Sequence, residues 1–599
     1  TEHNHKLSEE LARKQEELAR KQEELARKQE ELARKQEELT RVSEEANHQL
    51  QDSLLATHKM WEEKNKWLET SRDLKAELQG IHNTWHWRLR GLVAGKKVVK
   101  REALSCIESA NEFRSTDLPP TEGVEPNLKQ VMELPSSLLL EQFLIEERAL
   151  NLPKTDAPNI SIIIVLYNRV DLTLQCIQSV IAQPYDDYEV IVVDNGSTDQ
   201  TGYVLKRLCG NANVIYNSEN RGFLDACNQG AEKARGQKLL FLNNDTIVLG
   251  NSIGLAAEIL ESSDDIGAVG GRLILPDGTL QEAGSFVDKN GSCEGYGRGN
   301  NPSHFEYMFQ RDTDYCSGAF LLTRKDLFDK LNGFDPTYKP AYYEEVDFCV
   351  RLWKLGKRVV YDPRIVILHY EFASSKKRED AIELQVRNCQ KFVGTHEKWL
   401  GKRDTTLGLP NVAKRDIPSG KLRILFLEDK VPHQHLGSGF TRSHRIILEL
   451  VKQGNFVTLF PTNYPDEAWD KVYSDIPRTV EVAIGLGRKK LEPFLSDRIG
   501  YYDVILASRP HNLQAIRSIR ESSPEIFKST KLIYDAEALY CIREFTEAAL
   551  KNQPLSEDEQ KTKIQKEIGL TEGCDAVISV SALETDKFAE QGVKNIHTV

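Results

Sequence analysis

Ile191-Val192-Val193-Asp194-Asn195-Gly196-Ser197 and Leu239-Leu240-Phe241-Leu242-Asn243-Asn244-Asp245 decide the fold class of this chain. Each is a short apolar run that ends at a carboxylate. Such runs read as strands buried on both faces, which pair in parallel between helices and deliver their end residues to one edge of the sheet. Two acids on one edge can address two parts of one nucleotide. One can bond the sugar and base, and the other can hold a cation on the phosphates.

Working outward, strands are predicted at 160–166, 189–194, 213–216 and 238–242. Segments near 171–182, 199–209 and 223–235 between them have helical character, a βαβ alternation. After Gly267 the pattern turns to hairpins, with Pro276-Asp277-Gly278-Thr279 as a tight turn. A helix is expected from Glu344 to Leu355, closed by Gly356. A polar, basic stretch near 402–420 reads as a spacer before a second α/β region. That region opens with Leu422-Arg423-Ile424-Leu425-Phe426-Leu427 and continues through apolar segments at 504–507, 532–534 and 576–580.

The chain of 599 residues has room for several cores, and its net charge of −12 argues against nucleic acid as a partner. Its 10 cysteines include no CxxC pair, so they read as small apolar residues of a reducing compartment. The longest apolar run of the first α/β region, Ile160 to Tyr167, is far too short to span a bilayer. Both ends read as truncated. A cytoplasmic location, or one peripheral to the inner face of the cell membrane, is expected.

The N-terminus repeats LARKQEE with leucines at 11, 18, 25, 32 and 39, a seven-residue period. Repeated pairs such as Glu16 with Arg20 support the helix. Only one strong apolar residue per heptad predicts a marginal coiled coil over 1–83, open to oligomerisation, or a solvated spacer about 75 Å long for about fifty residues. Residues 84–158 read as a basic and aromatic segment followed by a proline-rich linker with a short helix near 136–149. Trp85-His86-Trp87 beside Lys96, Lys97, Lys100 and Arg101 suits an anionic membrane surface, or equally an ordinary packed helix.

Leu166-Tyr167-Asn168-Arg169 follows the first strand where a dinucleotide cradle would need GxGxxG, and a Walker A loop is absent as well. Tyr167 stands where an aromatic ring can stack on a nucleobase. Asp194 can accept hydrogen bonds from base or ribose, or simply cap its own turn. Asp245 can anchor a hard divalent cation. His369 is a second candidate ligand that suits manganese better than magnesium, although a lone loop histidine is usually a surface residue. Tyr343-Glu344-Glu345-Val346-Asp347 sets three acids at a helix start, where they favour the dipole and Asp347 can pair with Arg351. Crowding of like charges there also raises a carboxylate toward the range of a general base.

These residues, with Asn220-Arg221-Gly222-Phe223, Ala226-Cys227-Asn228-Gln229-Gly230, Ser317-Gly318-Ala319 and Gly333-Phe334-Asp335, follow one another in an order that resembles family 2 glycosyltransferases, rhamnosyltransferase-like ones in particular. The resemblance covers roughly 159–375. It implies a GT-A domain over 159–400 and inverting transfer from a nucleotide-sugar to a glycan or lipid-linked glycan, with Mn²⁺ or Mg²⁺, in bacterial surface polysaccharide synthesis. It implies donor contacts from Tyr167, Asp194, Arg221, Gly222, Asn228 and Asn244, metal ligation by Asp245 and His369, and Glu345 as base with Glu344 beside it. Asn243 departs from the pattern where the first acid of DxD is expected, and Glu345 stands where aspartate is usual. Asn243 keeps open a rival reading, a coiled-coil scaffold whose degenerate transferase only binds sugar nucleotide or glycan. Residues 421–599, with Gly437-Ser438-Gly439 and Tyr534-Asp535-Ala536-Glu537, resemble the first Rossmann-like domain of family 4, GT-B glycosyltransferases, cut before its partner domain. Loops such as 284–315 set the shape of the pocket and carry no readable pattern.

Overall fold

Ile160–Leu166 is buried along its whole length because both faces of its sheet are covered. Ile162, Ile164 and Leu166 enter one core, whereas Ile163 and Val165 enter another on the opposite face. That alternation is the two-residue period of a strand read out in burial. The computed structural model describes residues 128–146, 148–371, 378–402, 411–416, 420–463, 467–536 and 538–599. The expected coiled coil over 1–83 and the basic, aromatic segment at 85–101 lie outside them. All described residues belong to one compact unit, 125–599.

The first sheet is mixed and ten-stranded. Its strands are β1 (Ile160–Leu166), β2 (Tyr188–Asp194), β3 (Ala212–Tyr216), β4 (Lys238–Asn243), β5 (Thr246–Leu249), β6 (Ile266–Ile274), β7 (Leu280–Ala283), β8 (Arg311–Asp312), β9 (Phe320–Arg324) and β10 (Arg358–His369). The order is β8-β10-β6-β9-β4-β1-β2-β3, with β5 on β10 and β7 on β6. β4, β1, β2 and β3 are parallel, as the βαβ pattern predicts, and β9 runs antiparallel between β4 and β6. The helices that matter to the site are α1 (Leu128–Glu146), α2 (Val170–Ile181), α3 (Phe223–Glu232), α4 (Glu344–Lys354) and α5 (Arg378–Leu400).

One expected helix is shorter than its pattern. Over 199–209 only Thr201–Leu205 is helical, and Leu208–Cys209 instead pairs in parallel with Leu150–Asn151. A tertiary partner outweighs local propensity there.

The second sheet is wholly parallel, with strands β11 (Arg423–Glu428), β12 (Phe456–Pro461), β13 (Glu481–Val482), β14 (Val504–Ser508), β15 (Lys531–Ala536), β16 (Ala576–Ser579) and β17 (Ile596–Thr598). They lie in the order β13-β12-β11-β14-β15-β16-β17, a doubly wound arrangement. The described part of the expected spacer is not a free linker. Arg415 and Asp416 are buried, and Arg415 makes two bonds of 2.9 Å to Glu481. Arg498 bonds the same Glu481 at 2.8 and 2.9 Å, and Glu306 of the first domain at 2.9 Å. Phe305 joins the core of the second sheet, and Gln310 N–H donates to the Arg478 carbonyl at 2.7 Å. The unreadable 284–315 region is therefore the face on which the second sheet docks.

Candidate functional site

Asp194 closes β2, buried beside the loop that follows β1. Its Oδ1 accepts the Ser197 N–H at 2.9 Å, so the turn-capping role is real, and Oδ2 accepts no bond from the described residues. The neighbouring loop is stitched to this turn. Asn168 N–H donates to Ser197 Oγ at 2.8 Å and Asn168 Oδ1 accepts Thr198 N–H at 2.8 Å. Those bonds hold Asn168 and Arg169 in the left-handed region (φ 56° and 55°), a costly backbone for side-chain-bearing residues. Tyr167, half-buried, lies between the strand and that constrained loop.

Asn195 ties the next segment in. Its Oδ1 accepts Arg221 N–H and Asn217 Nδ2–H, both at 3.0 Å, and its Nδ2 donates to Asn220 Oδ1 at 2.9 Å. Arg221 is exposed. Gly222 (φ 86°) lets the chain pass close to Pro340, since a Cβ there would fall 2.8 Å from the Pro340 Cβ. The other two expected donor residues have structural tasks. Asn228 Nδ2 donates to the Phe334 carbonyl at 2.9 Å while its Oδ1 accepts Phe334 N–H at 3.0 Å. Asn244 is buried and donates to Thr173 Oγ1 on α2 at 3.0 Å.

Asp245 and His369 come together although 124 residues of sequence numbering separate them: β10 pairs with β5 so that His369 faces Thr246. The His369 Nε2 stands 3.2 Å from Asp245 Oδ1 and 3.3 Å from Asn243 Nδ2. On the other side of the ring, Nδ1 lies 2.8 Å from Gln281 Oε1, and Gln281 Nε2 donates to Glu371 at 3.5 Å. An amide oxygen can only accept, so Nδ1 carries a proton and Nε2 faces the site. Burial raises the Asp245 carboxyl, but the His369 imidazole outweighs it and leaves Asp245 below its usual range. Burial lowers His369, and the Asp245 charge outweighs that and raises it.

Asn243 Oδ1 is buried here without a hydrogen-bond partner among the described residues. A carboxylate and an imidazole nitrogen oriented from behind suit a hard divalent cation, and Asn243, whose Nδ2 now faces His369, would join them by turning its orphaned oxygen inward. Among the described residues, no three His, Cys, Asp or Glu side chains converge on one point.

The acids at the start of α4 form the second centre. Tyr342 and Tyr343 precede the helix with φ 71° and 75°. Asn388 of α5 holds that bend by donating to the carbonyls of Tyr338, Ala341 and Tyr342 at 2.8, 2.9 and 3.0 Å. Asp347 is structural, bonding Arg351 Nε at 2.6 Å and His396 Nε2 at 2.7 Å. Glu344 and Glu345 each keep a buried Oε2 with no partner among the described residues. Burial, then the Glu345 charge, pushes Glu344 well above the usual carboxylate range. Burial pushes Glu345 up to about 7, against the pull of its own, Val346 and Gly318 N–H groups.

Consecutive residues of β7 link the two centres. Gln281 orients His369, and Glu282 accepts Ser317 N–H at 3.1 Å in the turn whose Gly318 N–H faces Glu345. Sequence reasoning passed over both, and over Asn388. The only signal was a polar pair inside a short strand that is buried throughout.

Residues 161–331 match glycosyl transferase family 2. O-antigen biosynthesis protein RfbC of Myxococcus xanthus is 30% identical over 243 residues, covering 38% of this chain and 18% of that protein. A PGL/p-HBAD biosynthesis glycosyltransferase of Mycobacterium tuberculosis is 29% identical over 219 residues, covering 36% of this chain and 77% of that one. The chain thus spans about a fifth of RfbC's length. Among solved structures, GalNAc-T7 with UDP, GalNAc and Mn²⁺ aligns at 17% identity and a TM-score of 0.31, over 36% of this chain and 44% of that chain. No helix among the described residues is long and apolar enough to cross a membrane.

Proposed function

We propose, from the match of residues 161–331 to glycosyl transferase family 2, that this chain is an inverting GT-A glycosyltransferase. It moves a sugar from a nucleotide-sugar to a glycan or lipid-linked glycan acceptor in surface polysaccharide synthesis. The polysaccharide context rests on the names of its relatives, RfbC and the mycobacterial enzyme. The observation that carries the reading is the adjacency of the two centres, with Gln281 serving one and Glu282 the other.

In this reading Tyr167 offers a ring to the base, Asp194 accepts from the nucleoside through its spare Oδ2, and Arg221, exposed on its loop, lies on the diphosphate side. Asp245, His369 and the Asn243 carbonyl would hold Mn²⁺ or Mg²⁺. Such an ion supplies charge neutralisation for the departing nucleoside diphosphate. Glu345, raised by burial, takes the proton from the acceptor hydroxyl. The hydroxyl oxygen bonds to the anomeric carbon on the face opposite the breaking bond to the diphosphate, so the configuration inverts.

The test incubates the full chain with a panel of nucleotide-sugars, acceptors and Mn²⁺, following released nucleoside diphosphate. Glu345→Gln is expected to cut transfer by about 10²–10⁴-fold, and Asp245→Ala to abolish the metal dependence. No metal-dependent turnover with any donor would favour the scaffold. Full transfer by Glu345→Gln would move the base assignment to Glu344.

A further inference from the structure

Glu282 is a buried carboxylate to which the transfer chemistry assigns no step. Its Oε1 accepts Ser317 N–H at 3.1 Å and its Oε2 accepts the Ser285 hydroxyl at 2.9 Å. The Ser317 turn runs directly into Gly318. There the backbone N–H faces the Glu345 carboxylate, and an added Cβ would lie 3.9 Å from the Glu345 Cβ. One carboxylate therefore holds the turn that presses on the other.

We propose that Glu282 is a positioning residue for Glu345: it fixes the Ser317–Gly318 turn against the base and supplies the negative charge that keeps the base proton-hungry. This rests on the reading of Glu345 as the base.

The surroundings leave Glu282 as the neighbour able to do so. Facing Glu345 are Glu344 and Cys349 from α4, Cys227 from α3, Cys293 from the strand Cys293–Gly295, Tyr315 from the approach to the turn, and Glu282 from β7. No lysine or arginine is among them. Burial pushes the three thiols and the Tyr315 phenol upward, so they stay neutral near pH 7. Glu344, pushed well above the usual range by burial, keeps its proton. Glu282 is also raised by burial, but the Ser317 and Ser285 donors, Arg298 and His369 all favour its ionised form.

Glu282→Gln in the full chain removes the charge and keeps the contacts. The amide oxygen still accepts Ser317 N–H, and the amide nitrogen can donate to Ser285 Oγ. The acid limb of kcat/KM, set in the wild type by a group at about 7, should move to lower pH by about half a unit or more. A residue that merely packs would leave that limb in place. Ser285→Ala provides a second variant, in which Glu282 loses a donor, holds its proton more tightly and shifts the limb the same way by less. An unmoved limb, in whichever of the two variants unfolds at the wild-type temperature, overturns the proposal. Glu345→Gln separates this outcome from failure of the base assignment. If Glu345→Gln abolishes transfer while Glu282→Gln leaves the limb in place, the base stands and the role of Glu282 falls. If Glu345→Gln transfers normally, the base reading itself is lost.

Discussion

At the residue scale, Asn243 decides how strongly the first centre can hold a cation. Its amide oxygen is buried and orphaned, and its Nδ2 stands 3.3 Å from His369 Nε2. A neutral donor there gives weak charge compensation, so Asn243→Asp should tighten Mn²⁺ about tenfold or more, measured by titration with the metal alone. Glu345 carries a pH signature of its own. Its folded pKa of about 7 lies above its ordinary 4.5, so the neutral carboxyl is the form that folding favours. That contribution is complete below pH 4.5 and is lost as pH rises toward about 7. Glu345→Gln should remove the loss and stabilise the protein at pH 8 by about 1–3 kcal/mol, seen by denaturant unfolding at pH 5 and pH 8. Asp194 and Asp245 were legible from the sequence because each ends an apolar run. Glu282 and Gln281 were not, because their significance depends on what a neighbouring strand brings opposite them.

At the scale of elements, α4 is aimed by α5. Three carbonyls of the bend before Glu344 converge on one buried amide, that of Asn388. Asn388→Leu strands those carbonyls and releases two tyrosines from an unfavourable backbone. Transfer is expected to fall about 10²-fold, since a displacement of about 1 Å at a reacting group costs that much. Stability should fall by about 1–3 kcal/mol. Steady-state kinetics alongside thermal unfolding would show both losses. β1, β2 and β4 were readable to within a residue or so, because both of their faces are buried and their composition says so. The bend at 342–343 was invisible, because no residue type in it announces a left-handed backbone.

At the scale of the whole molecule, the two sheets meet across a buried carboxylate, Glu481, clamped by Arg415 and Arg498. Burial alone would raise Glu481, but the two guanidiniums outweigh it and hold it far below the usual carboxylate range. Its stabilisation is therefore present at neutral pH and fades as pH falls below about 4.5. Glu481→Gln removes the carboxylate that two buried cations share and leaves them only Glu306 and Asp416 as counter-charges. It should cost about 3–5 kcal/mol at pH 7 and somewhat less near pH 3, by denaturant unfolding at both values. Arg498 also reaches Glu306, so this loss should loosen the 284–315 region. The sequence by itself determined the α/β class, the parallel strands, and the carboxylates at their ends. Those follow from local composition and period, which a chain cannot hide. Only the tertiary structure decided that Asp245 meets His369, that Glu282 stands behind Glu345, and that the second sheet is docked rather than tethered. Each of these depends on distant residues sharing one desolvated space, where the energy of a charge is set by whatever the fold places beside it.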